Sequence, residues 1–378
     1  MKVQKIRLGL IGGGMDSMVG IVHRIAAYLG ERYHIVGGVF SSDYSASKLL
    51  ANKLDLDQSR IYPGIDELIE MELSLPKDQR IEVVSVLTPN FLHYSVAKKL
   101  ITAGFNVICE KPMTFTVAEA KELEVLVAEK SVAFCLTHTY TGYPMVRQMR
   151  EMIAAGAIGR IQKVDGQYYQ GWINRFIHDV DKRSQVWRLS PDQVGNSCCF
   201  GDIGVHVFNL IEFTTGLQIE RVLADVNTLY ADNPLDVDGT ALIKTADGVS
   251  GMIRASQIAT GEENNMTLSV YGENGGLKWE QENPSLLFYL LEGQPVQVFK
   301  PGNDYNHSFA QESSKLPSGH PEGLGDALGN IYSGFAKAVR GEVHRKGSFP
   351  GVADGVRGVR FVEAVVESNT QDQAWVRL

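Results

Sequence analysis

The order of apolar runs and helical periods limits the possible folds of this chain more than any other property of its sequence. Up to about residue 140, short apolar runs such as Ile6–Ile11 and Ile81–Leu87 alternate with stretches of helical period such as Met18–Leu29. Apolar runs without polar alternation suit strands that are covered on both faces, as in a parallel sheet. Strands and helices that alternate at this spacing predict right-handed βαβ units, and therefore an α/β fold with a doubly wound parallel sheet.

The pattern changes after about residue 143 into that of a second domain. β-like runs from Ile161–Gln170 to Leu286–Leu291 follow one another, with turn residues between neighbouring runs. This spacing is typical of hairpins. We therefore predict a doubly wound domain over residues 1–142 and an α+β domain with a large, mostly antiparallel open sheet over residues 143–378. The C-terminal helix near residues 352–368 is expected to pack back on the first domain.

Charge and cysteine content exclude several classes of protein. The 378 residues carry 36 basic and 44 acidic side chains, a formal net charge of −8, which disfavours nucleic acid or an anionic membrane surface as the main partner. The four cysteines include no C-x-x-C pair, and no cluster of His, Cys and Asp has the spacing of metal ligands, so we predict no metal. No apolar stretch reaches the length of a signal-peptide core or a membrane span, which predicts a cytoplasmic protein.

A glycine-rich turn follows the first apolar run. Its residues are Gly12, Gly13, Gly14, Met15, Asp16 and Ser17, with a further glycine at Gly20. Glycines at this place let the backbone approach a pyrophosphate, whose charge then lies at the N-terminus of the following helix. We predict that Gly12, Gly14, Met15 and Asp16 bind a dinucleotide; an ordinary glycine-rich turn is the alternative. Asp16 or Ser17 is expected to cap the helix, and Gly20 to serve a close contact between helix and strand.

Polar residues also follow the second apolar run. Ser41, Ser42 and Asp43 come directly after it, and Lys48 lies on the next predicted helix. A dinucleotide fold usually places here an acid that binds the adenosine ribose, or a basic group that binds a 2′-phosphate. We predict that these four residues are cofactor ligands. An Asp at this position also serves as a turn or helix cap, and these residues alone do not decide between NAD and NADP.

Two later apolar runs end where open α/β sheets bind their ligands. Thr88-Pro89-Asn90 follows the first of them, with His93 on the next helix, and Glu110-Lys111-Pro112 follows the second. The candidate cofactor ligands here are Thr88, Asn90, His93, Glu110 and Lys111. Pro112 disfavours a helical conformation at Lys111, and a lysine held in this way can stabilise an alkoxide. A Glu-Lys-Pro tripeptide alone is equally compatible with a solvated turn.

The second domain contains a carboxylate and a histidine at helical spacing. Asp202 and His206 are four residues apart, so on a helix they share one face and can form a hydrogen bond. A histidine oriented by a carboxylate suits general acid–base transfer of a hydroxyl proton, although a capping Asp and a core histidine would give the same pattern.

Aromatic rings beside hydrogen-bonding groups suit a pyranose, whose faces are partly apolar. The candidate substrate residues are therefore Tyr140, Tyr143, Gln170, Trp172, Trp187 and Arg188, together with His206. Packing in a core or an interface is the alternative for the aromatic ones.

In combination these motifs resemble the Gfo/Idh/MocA oxidoreductase family, and within it the branch of levoglucosan dehydrogenase-like sugar dehydrogenases. The resemblance covers essentially the whole chain. It rests on the glycine-rich turn followed by Gly20-x-x-His23, on Thr88-Pro89-Asn90, on Glu110-Lys111-Pro112 and on Asp202-x-x-x-His206.

The resemblance implies a Rossmann domain followed by a substrate-binding and oligomerisation domain, with NAD as cofactor and NADP as the alternative. It implies hydride transfer between nicotinamide and a secondary hydroxyl of a sugar, anhydrosugar or inositol-like polyol. Lys111, Asp202 and His206 would be catalytic, with His206 as general base, Asp202 as its orienting partner and Lys111 as hydrogen-bond donor to the reacting oxygen. A cis peptide between Lys111 and Pro112 is also implied. The turn before Gly20 is longer than is usual for the family, so we expect the phosphate loop to bulge.

Two other functions are compatible with the same motifs. An NAD-dependent glycosidase would oxidise a ring hydroxyl transiently and release a free sugar with no net change in the cofactor. A redox-silent sensor would bind the dinucleotide without catalysis. Because exposed sheet faces and edges are usually paired or covered, we also expect the sheet of the second domain to form a homodimer or homotetramer interface.

Overall fold

The computed structural model of the protein describes residues 4–176, 181, 186–228 and 234–378. The chain divides into two compact units. The first contains the residues up to Thr114, Ala118–Gly142 and Leu324–Val356, and the second contains Phe115–Val117, Tyr143–Gly323 and Arg357–Leu378.

The described strands are β1 (Ile6–Gly12), β2 (Tyr33–Val39), β3 (Val83–Leu87), β4 (Asn106–Cys109), β5 (Phe134–Leu136), β6 (Ile161–Tyr169), β7 (Ile219–Asn227), β8 (Asp238–Thr245), β9 (Ser250–Ser256), β10 (Asn265–Gly272), β11 (Gly276–Glu280), β12 (Leu287–Leu290), β13 (Gln297–Phe299) and β14 (Val376–Arg377). The described α-helices are α1 (Met18–Leu29), α2 (Tyr44–Lys53), α3 (Ile65–Ser74), α4 (His93–Thr102), α5 (Val117–Lys130), α6 (Pro144–Ala154), α7 (Pro191–Val194), α8 (Val205–Thr215), α9 (Ser308–Ser313), α10 (Leu324–Val339) and α11 (Val352–Thr370).

The first unit contains a five-stranded parallel sheet in the order β2-β1-β3-β4-β5. Every residue of β3 is buried, as expected for a strand that is covered on both faces. The chain order reverses at β1, which has β2 on one side and β3 on the other. Ligands of doubly wound sheets bind at such a switch point, beyond the carboxyl ends of the strands. The predicted α/β fold is confirmed, and the glycine-rich turn lies at this point.

The core of the first unit includes a helix from the far end of the chain. Leu328, Ile331, Tyr332 and Phe335 of α10 are buried in the same apolar cluster as Leu8 of β1. Their spacing places them on one face of the helix. The sequence pattern predicted one boundary between residues 142 and 143. In the structure, α10 belongs to the first unit, so the two units are not separated by a single point in the chain. Helix α11 is divided between the units: its residues up to Val356 belong to the first, and those from Arg357 belong to the second, where Phe361 stacks on Phe208 with ring centroids 4.5 Å apart.

Among its described residues, the second unit contains a nine-stranded sheet in the order β13-β12-β11-β10-β6-β9-β8-β7-β14. The pairs are antiparallel except for β6 with β9, so the predicted mostly antiparallel sheet is confirmed. Helix α8 packs closely on β6 because Gly166 has no side chain. A Cβ at Gly166 would lie 2.5 Å from Val207 Cγ1. This contact fixes the helix that carries His206 against the centre of the sheet.

Candidate functional site

The switch point of the first sheet is built from close backbone contacts. Gly12 pairs in register with Leu87 of β3, and it has a φ of 83°, which favours glycine. A Cβ at Gly12 would lie 2.6 Å from the Leu87 carbonyl oxygen. The end of β1 and the segment that begins at Thr88 are therefore held side by side. This arrangement brings two of the sequence motifs together.

The residues between Gly14 and Ser17 form a turn before α1 begins. The Ser17 amide donates to the Gly14 carbonyl at 3.1 Å, and Met15 and Asp16 are exposed at the tip of the turn. Of the two predicted caps, Ser17 is the one used, since its Oγ accepts from the Gly20 amide at 3.0 Å.

The N-terminus of α1 suits an anionic ligand. Its first turn carries no acidic side chain, and the first amides of a helix point outward with a partial positive charge. Gly20 makes the predicted close contact, because a Cβ there would lie 2.3 Å from the Gly13 carbonyl oxygen. Thr88 Oγ1 is buried and has no hydrogen-bond partner among the described residues, so it offers a polar atom to a ligand. These features fit a dinucleotide.

The residues after β2 are partly engaged with the backbone. Ser41 Oγ accepts from the Asp43 amide at 3.1 Å, and Asp43 caps α2 by accepting from the Ser45 amide at 2.8 Å. Ser42 and Asp43 are exposed. Lys48 is also exposed, and its Nζ lies 4.5 Å from the centre of the Tyr44 ring. The cap that the sequence offered as an alternative for Asp43 is therefore present, and its carboxylate still faces solvent.

His93 joins two loops instead of presenting a free nitrogen. The side chain is buried, with Nδ1 at 2.7 Å from the Pro112 carbonyl oxygen and Nε2 at 2.9 Å from the Thr88 carbonyl oxygen. Burial lowers the pKa of His93, and the two carbonyl contacts oppose that effect. These contacts favour a structural role for His93, which ties the segment after β3 to the segment after β4. Asn90 opens the 3₁₀ helix Asn90–Leu92 between Thr88 and His93.

The segment after β4 carries a lysine next to a strongly acidic carboxyl group. The peptide between Lys111 and Pro112 is cis, as predicted. Glu110 accepts hydrogen bonds from His23 Nε2 at 2.8 Å and from the Thr137 hydroxyl. Burial of the carboxyl group would raise its pKa, but these two donors and the positive charge of Lys111 outweigh it and lower the pKa of Glu110 to about 2. Glu110 is therefore a carboxylate at any ordinary pH, and it is held by protein groups.

A buried histidine also lies within electrostatic reach of the lysine. Burial, together with the charge of Lys111, lowers the pKa of His138 to about 3. His138 is therefore neutral at ordinary pH.

In the second unit the Asp202 carboxylate sits on a π-helical turn. The turn spans Phe200–Gly204 and runs directly into α8, and single π turns within helices are frequent at functional sites. Asp202 Oδ2 accepts from Gln257 Nε2 at 3.0 Å and lies 3.4 Å from Arg188 Nε. The structure thus brings Asp202 and the candidate substrate residue Arg188 together, and Gln257 is a partner that the sequence did not indicate.

The buried side chain of Asp236 holds the start of the π turn through hydrogen bonds to two backbone amides. Asp236 accepts from the Cys198 amide with one carboxylate oxygen and from the Phe200 amide with the other, both at 2.8 Å. Burial raises the pKa of Asp236, and these amide hydrogen bonds oppose the rise. Cys198 is also a thiol donor to Gln257 Oε1 at 3.2 Å. Asp236 and Gln257 together determine where Asp202 is held.

His206 is buried on α8, one turn after Asp202. The ring of Tyr168 on β6 lies beside it, with centroids 6.4 Å apart. Gln170 Nε2 donates to Asn264 Oδ1 at 2.9 Å and lies 3.5 Å from the Tyr168 hydroxyl. The structure therefore brings Gln170 near His206 through Tyr168.

Asn209 lies one further turn along the same helix. It is nine-tenths buried, and its Oδ1 has no hydrogen-bond partner among the described residues. The spacing of Asp202, His206 and Asn209 places all three on one face of the helix. Apart from this spacing, no sequence feature indicated a role for Asn209.

The aromatic candidates divide into two groups. Trp172 and Trp187 are partly buried against the apolar cluster that contains Cys198, and the Arg188 guanidinium lies 4.3 Å from the centre of the Trp187 ring. Both tryptophans are therefore near the Asp202 site. Tyr143 is buried in the core instead, where its ring packs on Trp279 at 5.4 Å, so the contact supports the packing alternative. Tyr140 is also buried, in the 3₁₀ helix Thr139–Gly142 of the first unit.

In the described part of the chain, His, Cys, Asp and Glu form no group of three or more that could hold a metal ion. In the same part, no helix has the length and apolar character needed to cross a membrane.

Comparisons with known proteins agree with this geometry. Residues 6–138 match the family model described as "Oxidoreductase family, NAD-binding Rossmann fold", and residues 146–278 match the "GFO/IDH/MocA C-terminal domain". An inositol dehydrogenase homolog from Azotobacter vinelandii, solved with NAD+, is 31% identical with a TM-score of 0.92, over 99% of this chain and 98% of that chain. An oxidoreductase from Sinorhizobium meliloti is 37% identical with a TM-score of 0.88, over 99% of both chains. Levoglucosan dehydrogenase from Pseudarthrobacter phenanthrenivorans is 27% identical over 99% of this chain and 98% of its own length.

The first unit is therefore an NAD-binding Rossmann domain, and the protein is an oxidoreductase. The relatives match along nearly the whole chain, so the resemblance seen in the motifs extends to the complete fold. The chain belongs to the Gfo/Idh/MocA family of oxidoreductases.

Proposed function

We propose that the protein is an NAD-dependent dehydrogenase that oxidises a secondary hydroxyl of a cyclic polyol or sugar, with Lys111, Asp202 and His206 as its catalytic residues. The observation that carries the proposal is the geometry of the π turn and α8. Asp202 is held there by Gln257 and Arg188, one helical turn before a buried histidine. A carboxylate and an imidazole on one helix face are the groups that proton transfer from a hydroxyl requires.

His206 is assigned the role of general base. Its imidazole takes the hydroxyl proton while the carbon–hydrogen bond at the same carbon gives up its hydride. Asp202 stabilises the resulting imidazolium by its negative charge. Because Asp202 is itself held by a neutral amide and a guanidinium, its position is fixed before the substrate arrives.

Lys111 is assigned the role of hydrogen-bond donor to the reacting oxygen. An ammonium group at this atom stabilises the negative charge that develops on the oxygen as its proton leaves. Bound NAD supplies the hydride acceptor. The residues that would hold it are those of the β1 turn, Thr88 and the segment after β2, whose contacts fit a dinucleotide.

The proposed substrate class follows from the groups around Asp202 and His206. Trp172 and Trp187 offer flat apolar surfaces, while Arg188 and Gln170 offer hydrogen-bond donors. A ring with apolar faces and a rim of hydroxyls matches such a surface. Two relatives support the same class, one a structure complexed with NADH and myo-inositol at 32% identity and the other named levoglucosan dehydrogenase.

We propose NAD over NADP because of the charges after β2. The exposed Asp43 carboxylate would repel a 2′-phosphate, and the Lys48 ammonium lies against the Tyr44 ring. Asp43→Asn should therefore narrow the preference for NAD over NADP, measured as the ratio of the two kcat/KM values.

We also propose that the protein forms a homo-oligomer through the outer face of the second sheet. Leu223, Leu242 and Met252 form an apolar row across β7, β8 and β9, and 43% of Leu242 is exposed. A second copy would cover this row. Light scattering after size exclusion should give a dimer or tetramer for the wild type and a smaller species for Leu242→Lys. The cytoplasmic location remains a prediction.

The decisive assay follows the reduction of NAD by the absorbance of reduced nicotinamide. It is run separately with pyranoses, anhydrosugars and inositols as substrates. Turnover on one class that is lost in Lys111→Ala and in His206→Asn, with NAD binding retained, supports the proposal. Release of a free sugar from a glycoside without net reduction would instead identify a glycosidase. Tight NAD binding with no reaction on any substrate would identify a sensor.

A further inference from the structure

Helix α1 carries an arginine that reaches back over the glycine-rich turn. Arg24 lies one helical turn after Gly20, on the face of α1 that packs closely against the turn. Its Nη1 donates to the Gly13 carbonyl oxygen at 2.8 Å. Side chains on a helix lean toward its N-terminus, and Gly20 has no side chain in the way. The guanidinium can therefore cover the preceding turn and meet that oxygen.

The charge of this guanidinium is not neutralised by a neighbour. In the described part of the chain, no carboxylate forms an ion pair with Arg24. Burial lowers the pKa of Arg24, but an arginine stays protonated at any ordinary pH. The carboxylate of the turn, that of Asp16, is exposed at its tip. Arg24 is thus an unpaired cation beside the turn where an NAD-binding Rossmann domain holds the diphosphate of its cofactor.

The peptide that Arg24 contacts joins two glycines. Gly13 has a φ of 71°, a conformation that favours glycine, and Gly14 follows it. A peptide between two glycines can flip, because neither residue has a Cβ that forbids the rotated state. The flip exchanges the positions of the carbonyl oxygen and the amide hydrogen. The hydrogen bond from Arg24 fixes which of these two atoms faces α1.

The same hydrogen bond determines the direction of the Gly14 amide. The peptide between Gly13 and Gly14 is trans and planar, so its N–H points opposite to its carbonyl. Because the Gly13 oxygen faces α1, the Gly14 N–H points away from that helix. Among the described residues no acceptor takes this N–H, and a Cβ at Gly14 would have only the Phe40 carbonyl oxygen within 4 Å, at 3.2 Å. The amide is therefore a free donor in an open part of the turn.

We propose that Arg24 is a positioning residue for the cofactor: it holds the Gly13 carbonyl against α1 and thereby directs the Gly14 amide toward the diphosphate of NAD, to which this amide donates. In the flipped state a carbonyl oxygen would face the diphosphate and repel it. The inference goes beyond the proposed function, because it concerns only how the Rossmann domain binds NAD and is independent of the substrate.

The test uses two substitutions of Arg24 and a matched control. Arg24→Met removes the donor and keeps the apolar stem, whereas Arg24→Lys keeps the charge and a shorter donor. Arg80→Met is the control, because Arg80 is also partly buried in the first unit and its Nη2 donates to the Leu75 carbonyl oxygen at 2.7 Å. This control removes the same charge and the same kind of hydrogen bond just after α3, away from the glycine-rich turn.

The first readout is the affinity for NAD, measured by calorimetry. Loss of one hydrogen bond to a charged oxygen weakens binding by about tenfold or more, so we expect a rise of this size in the Kd of Arg24→Met. The Kd of Arg80→Met should stay within about twofold of the wild-type value. Equal NAD affinity in Arg24→Met and the wild type would overturn the proposal.

The second readout observes the peptide itself and needs no turnover. Glycine labelled with ¹³C at the carbonyl and with ¹⁵N gives carbonyl–amide correlations only for the Gly-Gly peptides of the chain, those at 12–13, 13–14, 37–38 and 275–276. Gly14→Ala identifies the signal of the Gly13–Gly14 peptide. We expect Arg24→Met to shift its carbonyl carbon in the free protein and to abolish the response of its amide proton to added NAD. Arg80→Met should leave both unchanged.

The two readouts together separate positioning from direct binding. A loss of NAD affinity in Arg24→Met with the carbonyl signal and the amide response of the wild type would mean that Arg24 contacts the diphosphate itself, and would overturn the proposal. Recovery of affinity in Arg24→Lys without recovery of the carbonyl signal would assign the effect to charge alone, and would overturn it as well. Partial recovery of both in Arg24→Lys supports the positioning role.

Discussion

Replacement of Gln257 by leucine tests how Asp202 is held. Gln257 is fully buried, donates to Asp202 Oδ2 at 3.0 Å and accepts from the Cys198 thiol at 3.2 Å. A hydrogen bond to a charged group contributes about 1.5–3 kcal/mol, and a thiol donor contributes less. Leucine fills a similar volume without either hydrogen bond. We therefore expect Gln257→Leu to lower the free energy of unfolding of the second unit by about 2 kcal/mol.

Urea unfolding followed by tryptophan fluorescence measures this change directly. The four tryptophans, Trp172, Trp187, Trp279 and Trp375, all lie in the second unit, so the signal reports that unit. Gln167→Leu is the control, because its partly buried carboxamide lies 3.5 Å from Asn265 at the limit of a hydrogen bond. We expect the control to change stability by less than about 0.5 kcal/mol.

A second substitution at position 257 tests how a negative charge beside Asp202 changes the pH dependence of stability. Gln257→Glu places another carboxyl group beside Asp202, and repulsion between two carboxylates raises the pKa of the pair. The folded state then binds protons more tightly than the unfolded state, so the variant should lose stability as the pH rises through the raised pKa. Unfolding midpoints and kcat values of Gln257→Leu equal to those of the wild type would refute the account of how Asp202 is held.

Three further predictions test the first unit and the π turn. Gly20→Ala places a methyl group 2.3 Å from a backbone oxygen and should abolish NAD binding in calorimetry, whereas Gly323→Ala, where nothing lies within 4 Å, should leave binding unchanged. The pKa of Glu110, about 2 in the fold against an ordinary value of 4.5, implies a stabilisation that is present above about pH 4.5. Roughly 3 kcal/mol should be lost as the pH falls toward 2, and hydrogen exchange of the β1 and β4 amides should show this loss in the wild type but not in Glu110→Gln. Asp236→Ala leaves two buried amides without acceptors and should lower the stability of the second unit by about 2–4 kcal/mol in the urea assay.

Features that depend on neighbouring residues were predictable from the sequence. The parallel sheet follows from apolar runs and helical periods, and α1 begins and ends at the predicted residues. The Ser17 cap and the close contact at Gly20 follow from residue types at fixed positions along the chain. Asp202 and His206 lie on one helical stretch because their spacing matches its period.

Features that depend on distant partners were not predictable. The apolar face of α10 would suit either core, and only the fold shows that Tyr332 meets His23, 309 residues away in sequence. Gln257 gives no local sign that it holds Asp202, because its position on the strand end decides the contact. Strand β11 begins at Gly276, a residue that also suits the preceding turn, so its five residues do not stand out as a strand.

Some residues that the sequence predicted to bind a ligand are instead packed in the protein interior, because the same residue types serve both roles. Tyr143 was a candidate substrate residue, but its ring packs on Trp279. His93 follows a strand end, as a ligand would, yet both its nitrogens contact backbone carbonyls. An aromatic ring or an imidazole fits a core as well as a cleft, so burial and hydrogen bonds decide between the two roles.

The transfer of deuterium from substrate to cofactor tests the central claim most directly. A cyclic polyol that supports turnover is labelled with deuterium at the carbon of the reacting hydroxyl, and the nicotinamide product is analysed by mass spectrometry. The account predicts that each molecule of reduced NAD carries one deuterium from the substrate, and that Lys111→Ala and His206→Asn suppress its formation. Reduced NAD without deuterium, or unreduced NAD with the label lost to water, would contradict hydride transfer as the reaction of this protein.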